Sequence, residues 1–123
     1  MKKLIEVLQK YNINEQISHS KSFDYQNGLY EPLKKSSLYI QHQIVLPHEK
    51  SDKPFSSKEF FQHGCELVVA EVSYPAIGLG IELGWADLLN IPIVCLYKEG
   101  TKLSGSLRVV SNTFLEYSNA EDL

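Results

Sequence analysis

Cysteine is scarce in this 123-residue chain, which carries two, Cys65 and Cys95, with one methionine and one tryptophan. No CxxC pair and no metal-ligand spacing surrounds them, which argues against a disulfide scaffold, a zinc site or a dithiol redox motif. Both fall in or beside apolar runs and read as reduced core residues. Basic charge is not in excess either. The 12 Lys and Arg against 15 Asp and Glu leave a formal net charge of -3, and the cations are scattered, so nothing offers a field to nucleic acid. The longest apolar runs stop short of the roughly 20 residues that span a bilayer, and the N-terminus lacks a signal-peptide apolar core. No nucleic acid, no membrane and a cytoplasmic location are therefore the expectations. Internal repeats, low-complexity tracts and linkers are also missing. A chain of this length, 43% apolar and 22% charged, can bury one core but not two, so residues 1–123 are expected to form a single domain.

What is present is organised around residues 65–97. Leu67, Val68, Val69, Ala70 and Val72 form a short run rich in β-branched residues, suited to a strand covered on both faces. Ile91 to Tyr97 repeats the pattern. Between them Leu83, Ala86 and Leu89 have helical spacing. A strand, helix, strand unit implies parallel strands and a right-handed crossover, with ligands bound beyond the carboxyl ends of the strands. Here that place is the segment from Glu71 to Glu82.

Before this unit, residues 1–11 put Leu4, Ile5, Leu8 and Tyr11 on one face of a short amphipathic helix. Residues 12–18 are a weak strand, since only Ile13 and Ile17 are strongly apolar. Residues 19–28 read as a loop closing on Asn27-Gly28. Leu29, Leu33 and Leu38 suggest a helix that tolerates Pro32 in its first turn, and Gln43 to Pro47 a strand. A helix from about Ser56 has Ser57 as N-cap, Phe60 and Phe61 on its buried face and Gly64 at its end. After the central unit come a Gly- and Ser-rich loop, a short helix within Leu103 to Val110, and a last strand over Thr113 to Tyr117. The expected architecture is a three-layer α/β/α sandwich of flavodoxin or Rossmann-like type, around a five-stranded, mainly parallel sheet.

Glu82 lies in GLGIELG, flanked by Gly78, Gly80 and Gly84. Glycines there allow positive φ and close approach of a ligand, and a helix start favours anionic groups. Two readings stand together: a favourable acidic residue in a first helical turn, or a nucleophile for a sugar carbon.

The stretch ELVVAEVSYPAIGLGIELGWA, Glu66 to Ala86, resembles the central signature of the nucleoside 2-deoxyribosyltransferase family and its hydrolase branch, the 2'-deoxynucleoside 5'-phosphate N-hydrolases. That signature has an acidic residue before an apolar strand ending in Ala-Glu-Val, then Gly-x-Gly-x-Glu-Leu-Gly. The resemblance continues to LSGSLR, residues 103–108, and is loose in the N-terminal half. It implies cleavage of the N-glycosidic bond of a small deoxynucleoside or deoxynucleotide, with Glu82 attacking C1' and the sugar passing to water or another base. It implies no metal and no cofactor. It also implies a homo-oligomer, with the apolar N-terminal helix and, if exposed, Trp85 suited to the contact.

The same resemblance nominates the remaining site residues. The family's proton-transferring carboxylate aligns with Lys58, and Glu59, one residue on, is the candidate. A first-strand tyrosine aligns near Gln16, and Tyr25 is a candidate to replace it. Ser104 and Ser20 match serines around the substrate phosphate, and Arg108 follows Ser104 in the expected place. Ala76 stands where the hydrolase branch has serine. Gly78 and Gly80 would approach the substrate backbone-first, and Glu71 would either orient a sugar hydroxyl or cap a loop. Each has a plain reading as a surface, cap or turn residue. His19, His48 and Asp24 sit near strand ends, where they could meet phosphate or move protons, or simply be loop residues. A non-catalytic nucleotide-binding module that kept the fold is the competing reading, supported by Lys58, Gln16 and Ala76.

Overall fold

The computed structural model describes residues 2–8, 14–20, 24–35, 43–46 and 57–119. In chain order these form α1 (Lys2–Leu8), β1 (Asn14–His19), a π-helical turn (Gln26–Tyr30) that runs into α2 (Glu31–Lys34), and β2 (Gln43–Val45). There follow α3 (Ser57–His63), β3 (Leu67–Glu71), α4 (Ile77–Leu88), β4 (Ile93–Lys98), α5 (Leu107–Val110) and β5 (Thr113–Tyr117). The strands lie in the order β2-β1-β3-β4-β5, and each described pairing is parallel.

Alternation along the central strands divides the core in two. Leu67 and Val69 of β3, with Val94 and Leu96 of β4, enter a cluster with Leu4 and Leu8 of α1 and with Leu29, Tyr30 and Leu33. Val68, Ala70, Ile93 and Cys95 face the other way, towards Phe61 of α3 and Leu79, Leu83 and Ala86 of α4. Successive strand residues point to opposite faces, so a continuous apolar run is what a strand covered on both sides requires. Burying each such aliphatic side chain contributes about 1.5–3 kcal/mol. Cys65 and Cys95 are buried and free, and burial raises the Cys95 thiol above its ordinary pKa.

Several expectations change in detail. The weak strand at residues 12–18 is an interior strand, because β1 pairs with both β2 and β3. The segment around Asn27-Gly28 is helical rather than loop. Asp24 starts it, its carboxylate accepting from the Asn27 backbone N–H and side-chain amide. Pro32 falls in the first turn of α2, directly after the π-helical turn. Tyr11, Leu38 and His48 lie outside the described residues. No helix among the described residues is long and apolar enough to cross a membrane.

The largest change concerns the glycine-rich stretch. α4 begins at Ile77, so Gly78 and Gly80 are helical, and the glycine with positive φ among the described residues is Gly100. Glu82 therefore sits in the second turn of α4, not at its start. Glycine disfavours helix by about 1 kcal/mol against alanine. That cost is outweighed by packing Leu79, Leu83 and Ala86 onto the sheet.

Candidate functional site

At the carboxyl end of β1, three polar side chains alternate along one face. Gln16, Ser18 and Ser20 are all buried, with Gln16 fully enclosed. Ile17 between them points to the opposite cluster. Glu82 reaches this face from α4: the Ser18 hydroxyl donates to its Oε2 at 2.6 Å and the Gln16 amide Nε2 donates to the same oxygen at 3.1 Å. The Gln16 amide also donates to Ser18 Oγ at 3.2 Å. A helix-borne carboxylate is thus tied to an interior strand by donors that only the fold brings together.

The opposite face of the same strand ends carries a second polar group. His19 is buried, stacked on Tyr25 with ring centroids 4.4 Å apart, and its Nε2 lies 2.7 Å from the Tyr30 hydroxyl. Its Nδ1 is 3.0 Å from the Ser20 carbonyl oxygen. A carbonyl can only accept, so Nδ1 carries a proton, and Nε2 is paired with the Tyr30 hydroxyl. Beside His19 in the sheet register is Glu71, 1% exposed. It accepts from the Ser73 backbone N–H at 2.6 Å and from the buried Tyr117 hydroxyl. Of its two readings, the loop-capping one describes these contacts. The Tyr117 phenol is held well above its ordinary pKa, first by burial and then by the Glu71 carboxylate.

A cleft of about 260 Å³ opens between α4 and the segment after β4, lined by Ser73, Ala76, Gly80, Lys102, Ser104 and Ser106 among others. Gly80 and Glu82 are two positions apart, so they project about 200° apart around the helix. The cleft and the Glu82 carboxylate consequently occupy opposite flanks of α4. Ser104 and Gly80 come together, apart from Glu82. Arg108 belongs to neither group. Its guanidinium lies 5.2 Å from the Phe114 ring centroid, and it lines a separate hollow with Pro92, Ile93 and Thr113, at the amino ends of β4 and β5. Glu59 and Lys58 are exposed on α3, outside the hydrogen bonds just described around Glu82. Tyr25 packs with His19 and Tyr30. Gly78 is exposed one turn before Glu82.

Of the two donors, the sequence does not point to Ser18, and it marks Gln16 only as the residue standing where the related family has a first-strand tyrosine. Their signal is the period-two polar pattern Gln16, Ser18, Ser20, which becomes informative once residues 14–19 are known to be an interior strand. Among the described residues no group of three His, Cys, Asp or Glu side chains could hold a metal ion.

No family model matches the chain. Individual relatives do. Over 61 residues the chain is 41% identical to a protein of Syntrophotalea carbinolica provisionally named 2'-deoxynucleoside 5'-phosphate N-hydrolase 1, covering 47% of this chain and 43% of that protein. The chain is similar to deoxynucleotide N-hydrolases. Over 45 residues it is 47% identical to the 5-hydroxymethyl-dUMP N-hydrolase of Rattus norvegicus, covering 35% of this chain and 28% of the relative. A Trichoplax adhaerens protein with the same provisional name as the first is 38% identical over 50 residues, or 39% of this chain and 35% of that protein. The matches thus span less than half the length of these N-hydrolases.

Proposed function

We propose that the chain is a glycosidase that cleaves the N-glycosidic bond of a 2'-deoxynucleoside 5'-monophosphate. Its fold is read as a three-layer α/β/α sandwich, with the two core clusters as the interfaces between layers. The observation that carries the proposal is the Glu82 carboxylate, fixed by Ser18 and Gln16 at the carboxyl end of a parallel sheet. The similarity to N-hydrolases of deoxynucleotides names the chemistry such a carboxylate would serve.

In this reading a Glu82 oxygen bonds to C1' as the bond from C1' to the base nitrogen breaks, through an oxocarbenium-like transition state. The departing base takes a proton from a second carboxyl group, for which Glu59 is the candidate. Water then attacks C1', gives its proton to that carboxylate and releases Glu82 with retained configuration. Retaining chemistry places the two carboxyl groups about 5–5.5 Å apart. Replacing water by another base would make the same site a deoxyribosyltransferase. Ser20, Ser104 and Arg108 are proposed phosphate contacts. Because Ser104 and Arg108 lie away from Glu82, they would serve this role from a neighbouring copy. A homodimer of cytoplasmic location, using no cofactor or metal, completes the reading; Leu4 and Leu8 of α1 are buried in the core and not offered to a partner, and the exposed Ile77, Ile81 and Leu88 of α4 support the contact instead.

The exposed position of Glu59, and Lys58 beside it, favours a second reading in which the chain binds nucleotide without turnover. Incubation of the wild type and Glu82→Ala with a panel of deoxynucleosides and their 5'-monophosphates, followed by chromatography for free base, separates the two. Base released by the wild type alone supports the glycosidase. Nucleotide bound with no base released by either protein would replace it with the binding module.

A further inference from the structure

We propose that Ser18 and Gln16 are positioning residues for the Glu82 nucleophile, an inference that rests on the glycosidase reading. β1 is an interior strand, where packing alone would favour apolar residues on both faces. Ile17 meets that demand, whereas Gln16 and Ser18 are 0% and 2% exposed and polar. Buried polar side chains of this kind are costly unless their hydrogen bonds are made. Here the bonds converge on one carboxylate oxygen.

The directions of these bonds follow from chemistry. An ionised carboxylate has no proton to give, so the single Ser18 proton points at Glu82 Oε2, across 2.6 Å. The Gln16 amide donates both to Ser18 Oγ and to Oε2, so it holds the hydroxyl in that orientation as well as the carboxylate. Charge-assisted bonds are stronger than neutral ones. The pair therefore locks the rotamer of Glu82, which enters from a different element and would otherwise sample several conformers. A nucleophile held in a near-attack position gains rate in the turnover step, because the ordering cost is met before the reaction. The effect is expected in kcat rather than in KM, since neither Ser18 nor Gln16 is assigned a substrate contact.

The test compares Ser18→Thr with Ser18→Val, which share a shape and differ in one hydroxyl. Base release under saturating and limiting deoxynucleotide gives kcat and KM, and thermal melting follows folding in the same samples. Ser18→Val should lower kcat roughly 10- to 100-fold with KM little changed, the size expected for a lost bond to a charged group. Ser18→Thr should keep most of the rate, and Gln16→Met should lose part of it. Equal kcat in Ser18→Thr and Ser18→Val, both folded and with base released by the wild type, would overturn the positioning role and leave the glycosidase reading intact. No base release by the wild type would remove that reading, and the catalytic role of both residues with it.

Discussion

Gly78 and Glu82 stand one turn apart on the same flank of α4, and a Cβ added at Gly78 would meet no heavy atom within 4 Å. No group among the described residues requires glycine there, so the open space beside the carboxylate is where a substrate would approach. Gly78→Ala is expected to stabilise the fold by up to about 1 kcal/mol through helix propensity, seen as a higher Tm. Gly78→Phe would fold but crowd the approach to Glu82, raising KM and lowering base release. Undiminished kcat/KM in Gly78→Phe would show that substrate does not pass over this position.

Ala76 occupies the N-cap of α4 in extended conformation and offers no side-chain cap. Serine at this place can accept from an orphan N–H of the first turn, worth about 0.5–2 kcal/mol. Ala76→Ser should therefore raise Tm. It also restores the residue that the hydrolase branch carries at this position, so a lower KM for monophosphates than for nucleosides is expected alongside. A Tm equal to or below that of the wild type would show that the helix start is satisfied in another way.

The Tyr117 hydroxyl donates to the buried Glu71 carboxylate. Tyr117→Phe would remove one of that carboxylate's donors, and leaving a buried acceptor short of a bond costs about 1–3 kcal/mol. Chemical denaturation at neutral pH measures it. Because the folded phenol's pKa is raised, the native state keeps its proton where the unfolded chain loses it. The stabilisation from this tyrosine is fully present below the unfolded phenol's value of about 10 and is lost as pH rises above it. The alkaline fall in stability should be shallower in Tyr117→Phe, and an identical slope in both proteins would contradict the assignment.

Ile77, Ile81 and Leu88 are 86%, 48% and 81% exposed. With Gly84 they recur at helical spacing, forming one apolar face of α4 turned away from the sheet. The homodimer proposed above would bury this face. Light scattering should give a dimer for the wild type and a monomer for Ile81→Lys. A wild type that remains monomeric at micromolar concentration would exclude the contact and, with it, the supply of Ser104 and Arg108 from a neighbour.

By itself the sequence determined the central unit. The runs Leu67 to Val72 and Ile91 to Tyr97 could bury so many apolar side chains in so few residues only as strands covered on both sides. The helical spacing of Leu83 and Ala86 tied α4 to them, whereas Leu89, read with that pair, is an exposed C-cap residue. The same stretch carried Glu82, but its local pattern suits a first-turn acid equally well, and the nucleophile reading came from the resemblance of Glu66 to Ala86 to the deoxyribosyltransferase family. Tertiary structure decided the rest. It drew Gly78 and Gly80 into the helix, because sheet packing outweighs the local preference of glycine. It made β1 an interior strand although its own apolar signal is weak, since strand pairing on both sides supplied what the sequence pattern did not. It joined Ser18 to Glu82 across 64 residues and set Ser104 on the other flank of α4. Local periodicity reports which face of an element is apolar. It carries no information about which distant donor a buried carboxylate will meet, because that depends on how the elements stack.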